Sequence, residues 1–410
     1  MTETNSFFER PNVRNETIQI GKGIPFAFES VTNSALGVGG VYGTWGDSYD
    51  NTRLRDLVSY RRGEYLQDED VMNLSELGFL SRHHIPDLSD ADHLELEVQV
   101  GARMLREAAK ANQWDPADVD AVLIGMSGPV SNDYVALICE RAGISNKALK
   151  VSVHKACDGS VGSLNLALNP WLGRKGHMNI AEELKGKKVL LGGIEGLSRF
   201  TSSSHDKYAL QLFGNAAGII GVVPGETFKF LVGKDHEAYD DEGVLAVRMY
   251  YPHSRQQTET GSQLEITQSD TNIRVAGLMH EPEHDGPIAM AGPMGMVKLF
   301  VRTGVKVVTD VFNEYAELMN KLGTPEKKIS VGIVHHANYK INQLKAKQLQ
   351  GLGIEFPMPW LVSDFGNVSA ASNMIVFLRQ LPKIKAGDNV LFDGFGAGTY
   401  YDVLAVTMGA

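Results

Sequence analysis

Residues 151–163 read VSVHKACDGSVGS, a valine-rich run that collapses into a single cysteine and then into Asp, Gly and Ser. The pattern predicts a buried strand over LKVSVHKAC that turns at Cys157 into a helix, DGSVGSLNLALN. Upstream, YVALICERAG has helical spacing, and VDAVLIGMSG is a short apolar run bounded by Gly and Pro, the signature of a buried strand. DADHLELEVQVGARMLREAAKANQ is an amphipathic helix closed by Trp114-Asp115-Pro116, and downstream KKVLLGGIEGLS is another buried strand. Strands apolar on both faces and alternating with helices predict a mainly parallel sheet covered on both sides.

The second half repeats this rhythm. VKLFVRTGVKVVTDVFNEYAELMNKLG is a long amphipathic helix ending at Gly323, and KKISVGIVHHAN is a strand with a polar tip. SNMIVFLRQLPKIKAG is helical as far as Pro382, and DNVLFDGFGAGTYYDVLAVTMG closes the chain as a pair of strands. LFGNAAGIIGVV (212–223) and GFGAGTYYDVLAV (394–406) each set a glycine-rich turn before an apolar strand near the end of a half. That echo predicts a duplicated α/β unit with halves 1–225 and 226–410. Residues 226–290 read as an irregular connection and GVGGVYGTWGDSYDN (37–51) as a loop. The latter does not fit GxGxxG, which sets a dinucleotide site aside.

A hydrophobic content of 43% with 21% charged residues is that of a globular protein, and 410 residues can bury a large core. The two cysteines, Cys139 and Cys157, make no disulfide framework and point to a reducing compartment. No basic-then-apolar leader and no apolar run of ~18 residues are visible, so a cytoplasmic location without membrane contact is expected. A formal net charge of −10 argues against nucleic acid as a partner, yet leaves room for a local basic patch facing an acidic partner.

Cys157 has two readings. A cysteine is most often a small buried hydrophobe. At a strand-to-helix turn, however, unpaired helix amides and the helix dipole favour a thiolate, and Gly159 permits close substrate approach. A thiolate nucleophile needs a proton partner and donors for the oxyanion it creates. The second half offers both residue types: His335 and His336 at a strand end followed by Asn338, and Asn367 in the Gly-flanked turn SDFGNVSAAS.

Taken together and in order, KACDGSVGSLNLAL, HHAN-Y-KI, FGNVSAAS and the closing GFGAG resemble the signature set of the β-ketoacyl-acyl-carrier-protein synthase III family of the thiolase superfamily. FGNAAG matches a further element, and the likeness runs over residues 90–410, with VTNSAL and RHHI as weaker echoes. The resemblance implies an α/β, thiolase-type fold of duplicated α-β-α-β-α layers with two similar halves. It implies an acyltransferase that loads an acyl group from a thioester on Cys157. The acyl group then undergoes Claisen condensation with a malonyl or second acyl thioester, in fatty-acid or polyketide metabolism. His335 and Asn367 would hold the second thioester's carbonyl and enolate. Backbone amides of Cys157 and Ala397 would form the first oxyanion hole, and Asn338 would touch the pantetheine arm. Coenzyme A or acyl carrier protein would deliver the substrates, with no cofactor or metal, and the enzyme would be a homodimer.

The chain departs from that pattern at several places. Asp158 follows the nucleophile where Ser or Ala is usual, and Asn215 replaces an acid in FGNAAG, an element read as structural. Gly78 stands where an adenine-stacking aromatic is expected, leaving Arg82 and Arg199 as candidate phosphate contacts. Ser131 occupies the tunnel-closing position of the loop MSGPVSND, which implies room for a longer or aromatic acyl group, and Asp133 is a candidate base for condensation without decarboxylation. DGFGAG lacks the second cysteine of thiolases, and residues 121–132 lack the acid of hydroxymethylglutaryl-type synthases. Neither HEPEHDG (280–286) nor RHHIPDLSDADH (82–93) offers a tetrahedral metal-ligand set. Two other readings stay open at this stage: acyl transfer to an oxygen or nitrogen acceptor, and a non-catalytic partner subunit of a synthase complex.

Overall fold

The computed structural model describes residues 13–85, 88–127, 133–172, 174–175, 178–202, 207–237, 247–249, 265–269, 271–276, 288–290, 297–396 and 400–409. Thirteen strands build its two large sheets: β1 (Val13–Ile20), β2 (Ile24–Asn33), β3 (Val38–Trp45), β4 (Ala121–Gly125), β5 (Leu149–His154), β6 (Val189–Glu195), β7 (Ala216–Val222), β8 (Phe228–Glu237), β9 (Glu265–Ser269), β10 (Asn272–Ala276), β11 (Ile329–Val334), β12 (Asn389–Gly396) and β13 (Tyr400–Met408). The first sheet runs β1-β2-β3-β7-β6-β4-β5-β10-β9 and the second β8-β13-β12-β11.

The duplication shows in the pairings. In the first sheet β4 and β6 are parallel, β6 and β7 antiparallel, β7 and β3 antiparallel. The second sheet repeats this as β11 with β12, β12 with β13, and β13 with β8. Between the sheets lie two helices, Gly159–Leu168 and Ser372–Gln380, every residue of which is buried. Both faces of such a helix meet a sheet, so it is buried all round, and its polar side chains bond inside the protein, as Ser163, Asn165 and Asn373 do. Outside, the amphipathic helices Asp90–Ala111 and Tyr134–Ala142 cover the first sheet and Gly304–Lys321 covers the second, completing five layers.

Two expectations are corrected. The stretch read as a loop at 37–51 contains β3, buried along its whole length in mid-sheet. Its glycines mark close packing rather than a turn: a Cβ on Gly40 would lie 2.4 Å from the Ile219 carbonyl. The connection 226–290 is not wholly irregular either, since β8 joins the second sheet and the β9–β10 hairpin returns to extend the first.

Candidate active site

The centre of the molecule is where the two inner helices begin. β5 ends at His154, and a single 3-10 turn, Ala156–Asp158, carries Cys157 onto the helix Gly159–Leu168. The other inner helix starts in the same way, from the 3-10 turn Ser369–Ala371 that follows Asn367. Each turn contains one non-glycine residue in the left-handed region, Ala156 at φ 49° and Ser369 at φ 45°. Such conformations cost on the order of 1–3 kcal/mol and persist only where packing imposes them. Two register-paired glycines allow the approach: a Cβ on Gly125 would lie 2.1 Å from the Gly159 backbone, and one on Gly193 2.5 Å from Ala370.

The two turns meet at the thiol. Cys157 is partly exposed, and the Ser369 hydroxyl donates to its Sγ at 3.1 Å. Asn367 is buried, and its Oδ1 accepts the Ser369 N–H at 3.0 Å, which leaves the Nδ2 amide without an acceptor among the described residues. His335 follows β11 directly, pinned by its N–H donating to the Asp393 carbonyl at 2.9 Å. Its Nδ1 meets the Ser372 hydroxyl at 2.6 Å, and Phe395 packs against the ring edge-on. With Ser372 donating, the ring proton lies on Nε2, a buried atom with no partner among the described residues. His336 turns elsewhere: its Nδ1 donates to the Val334 carbonyl at 2.6 Å and its Nε2 accepts the Leu361 N–H at 3.2 Å.

Burial, then the neighbouring His336 and Lys345, push the His335 pKa down to about 3. It therefore works as a neutral hydrogen-bond donor and not as an imidazolium. In histidine-detected NMR its ring signals will stay constant from pH 8 to pH 5, where an ordinary histidine would titrate near 6.5. A titration midpoint inside that window would overturn this assignment.

Asp158 is fully buried beside the nucleophile, with Lys155 at 3.5 Å and Asp402 also in reach. Burial and Asp402 push the Asp158 carboxyl well up, while Lys155 and hydrogen bonds hold Asp402 low despite its burial. The two acids thus divide one proton and one negative charge, and Lys155, bonded to Asp402, balances that charge. Asn165 closes the cluster with a 2.6 Å bond to Asp402 Oδ1. The net field that Asp158 puts on the thiol is accordingly small.

Other expected site residues fall differently. Arg82 is fully buried, spending its guanidinium on Gln211 and Asn51, so it cannot meet a coenzyme phosphate. Arg199, partly buried, is paired through its Nε with Glu97 at 3.0 Å. Asn338 caps the helix Tyr339–Gly351 by accepting the Lys340 N–H, and Asp133 is exposed at the start of Tyr134–Ala142. Ser131, Ala397 and the stretch 280–286 lie outside the described residues, but Gly396 reaches the nucleophile: its Cβ position would be 3.0 Å from the Cys157 amide nitrogen. Asn215 is structural, its Oδ1 accepting from the Ser198 N–H and its Nδ2 donating to the Trp45 carbonyl. Two features escaped the sequence. Trp360 lies over Gly78 and donates to its carbonyl at 2.8 Å, filling with an indole from a distant segment the spot beside the missing aromatic. Ser369 was visible only as a small residue.

Known proteins share this fold. Residues 319–408 match the family model described as 3-oxoacyl-[acyl-carrier-protein (ACP)] synthase III C terminal. The β-ketoacyl-[acyl-carrier-protein] synthase III 1 of Halalkalibacterium halodurans is 26% identical over 339 residues, 81% of this chain and 88% of the relative. Among solved structures, the 3-oxoacyl-[acyl-carrier-protein] synthase III of Aquifex aeolicus superimposes with a TM-score of 0.58 at 16% identity, covering 96% of this chain and 100% of its own. The type III polyketide synthase that makes 1,3,6,8-tetrahydroxynaphthalene in Streptomyces coelicolor gives 0.59 at 12%, covering 88% and 96%. The duplicated layers and the thiol between them define a thiolase-like enzyme of the acyltransferase class. Within that class the chain is similar to the 3-oxoacyl-acyl-carrier-protein synthase III family.

Proposed function

We propose that this protein condenses acyl thioesters in two half-reactions on one site. In the first, the Cys157 sulfur attacks a thioester carbonyl, the tetrahedral oxyanion leans on backbone amides at the helix start, and a free thiol departs. In the second, a malonyl-type or second acyl thioester places its carbonyl between His335 Nε2–H and Asn367 Nδ2–H. Loss of carbon dioxide from the malonyl group leaves an enolate that these neutral donors stabilise; its carbon attacks the acyl-cysteine carbonyl, the bond to the Cys157 sulfur breaks, and a 3-oxoacyl product forms. The observation that carries the reading is a partly exposed thiol together with two donors lacking acceptors among the described residues, the buried His335 Nε2–H and the Asn367 amide next to the Ser369 turn. Thioesters of coenzyme A or of an acyl carrier protein fit as substrates, in fatty-acid or polyketide synthesis. Among the described residues no helix is long and apolar enough to cross a membrane. A cytoplasmic homodimer is the assembly we propose.

The test is intact-protein mass after incubation with a panel of acyl-CoA and acyl-carrier-protein thioesters, with Cys157→Ala alongside. A mass gain equal to one acyl group, absent from the variant, is expected. No gain from any donor, or an equal gain in Cys157→Ala, would overturn the reading.

A further inference from the structure

Behind Ser369 the hydrogen bonds continue into the interior. Ser369 Oγ touches Ser127 Oγ, Ser127 Oγ lies 2.6 Å from Glu195 Oε1, and the Ser369 hydroxyl also bears on that carboxylate; which way each hydroxyl points depends on where the protons sit. Glu195, at the end of β6, is buried, and the same oxygen accepts the Ala370 N–H at 3.0 Å. Four polar groups therefore stand in a row: Cys157 Sγ, Ser369 Oγ, Ser127 Oγ and Glu195 Oε1. Three contacts join them, and each contact needs one proton. The two hydroxyls supply two. The third must come from one end of the row, either the cysteine as thiol or the glutamate as carboxylic acid. If both ends were charged, two hydroxyl oxygens would face each other with no hydrogen between them.

We propose that Glu195 is a positioning residue that, through Ser127 and Ser369, holds the proton Cys157 gives up. The row then exists as thiol with carboxylate or as thiolate with carboxylic acid. This rests on the reading of Cys157 as the nucleophile. In the forward step the thiol proton moves to Ser369 Oγ while that hydroxyl's own proton moves to Ser127 Oγ, and Ser127's to Glu195 Oε1. Sulfur then forms its bond to the acyl carbon. As the bond from that carbon to the departing sulfur breaks, the proton returns along the same oxygens and leaves with the departing thiol. No other reactant is needed. Burial raises Glu195 to about 7, so its carboxyl can take up and release a proton near neutrality. Arg199, itself paired with Glu97, and Tyr134 also bear on this carboxylate, and Asp158, Lys155 and Asp402 lie at the cysteine end.

The experiment is the rate of Cys157 alkylation by iodoacetamide in the full chain, read by intact mass between pH 5.5 and 9. Glu195→Gln keeps an acceptor for the Ala370 N–H but cannot take a proton, and Ser369→Ala cuts the row at the sulfur while leaving the acid in place. Each variant should alkylate about tenfold more slowly at pH 7, an upward shift of about one pH unit, and recover the wild-type rate by pH 9. The double variant should be no slower than either single one, because both cut the same row. A wild-type profile in Glu195→Gln overturns the proposal. Should that variant melt too low to use, a wild-type profile in Ser369→Ala overturns it equally, as would an additive, hundredfold loss in the double. Alkylation needs no thioester, so a failure of acyl transfer would count against the proposed function and leave this result to be read separately.

Discussion

Asn367→Ala will leave the mass gain at Cys157 intact while slowing product formation about 10²- to 10³-fold, the usual cost of one oxyanion donor. The split follows from the geometry. Asn367 Oδ1 holds the Ser369 backbone, but its Nδ2 faces no acceptor among the described residues and has no part in loading the thiol. His335→Ala should act alike, since its Nε2–H is the second such donor and its neutral state gives it no role as an acid. Single-turnover assays that follow acyl-cysteine formation and 3-oxoacyl release separately will check this. Equal losses in both half-reactions would show instead that Asn367 acts by shaping the Ser369 turn.

Lys155→Met carries the largest expected loss of stability, about 3–5 kcal/mol, as for removal of one partner of a buried charge group. Lys155, Asp158 and Asp402 are all almost wholly buried, so the substitution leaves two acids with one proton and no cation. The sign of the pH dependence follows. Without Lys155 both folded-state carboxyl pKa values rise above their unfolded values, so stability is retained at low pH, where protons neutralise the pair. It is lost as pH rises through the folded values. Thermal or urea unfolding of wild type and variant at pH 5 and pH 8 should therefore show a deficit that widens with pH. A deficit under about 1 kcal/mol, or one independent of pH, would mean that water or a rearranged Tyr400 hydroxyl replaces the ammonium.

The parts of this fold legible in the sequence were those set by local pattern. The strand-turn-helix at Cys157, the long helix ending at Gly323 and the closing strand pair all announce themselves through periodicity and glycine, and the structure has each in place. β3 was read as a loop because its glycines serve contacts with Ala111, Ile219 and Ala27, none of them near in sequence. The site divides in the same way. Cys157, His335 and Asn367 stand in recognisable strings, but Glu195 lies at the end of an ordinary buried strand, and nothing local says that a serine from the other half will connect it to the thiol. Arg82 was misassigned because an arginine in a string looks the same whether it faces solvent or, as here, Gln211 and Asn51.

The contact between the two half-turns also sets a timetable. Cys157 leaves the ribosome about 200 residues before Ser369, a delay of roughly 10–40 s at ordinary rates of synthesis. Through that interval the nascent chain has its sulfur but not the hydroxyl, the amide donors or the second glycine turn that surround it in the finished molecule. A half-made polypeptide is thus no acyl trap for the cell's thioesters, and reactivity arrives only when the last strands close over the first half.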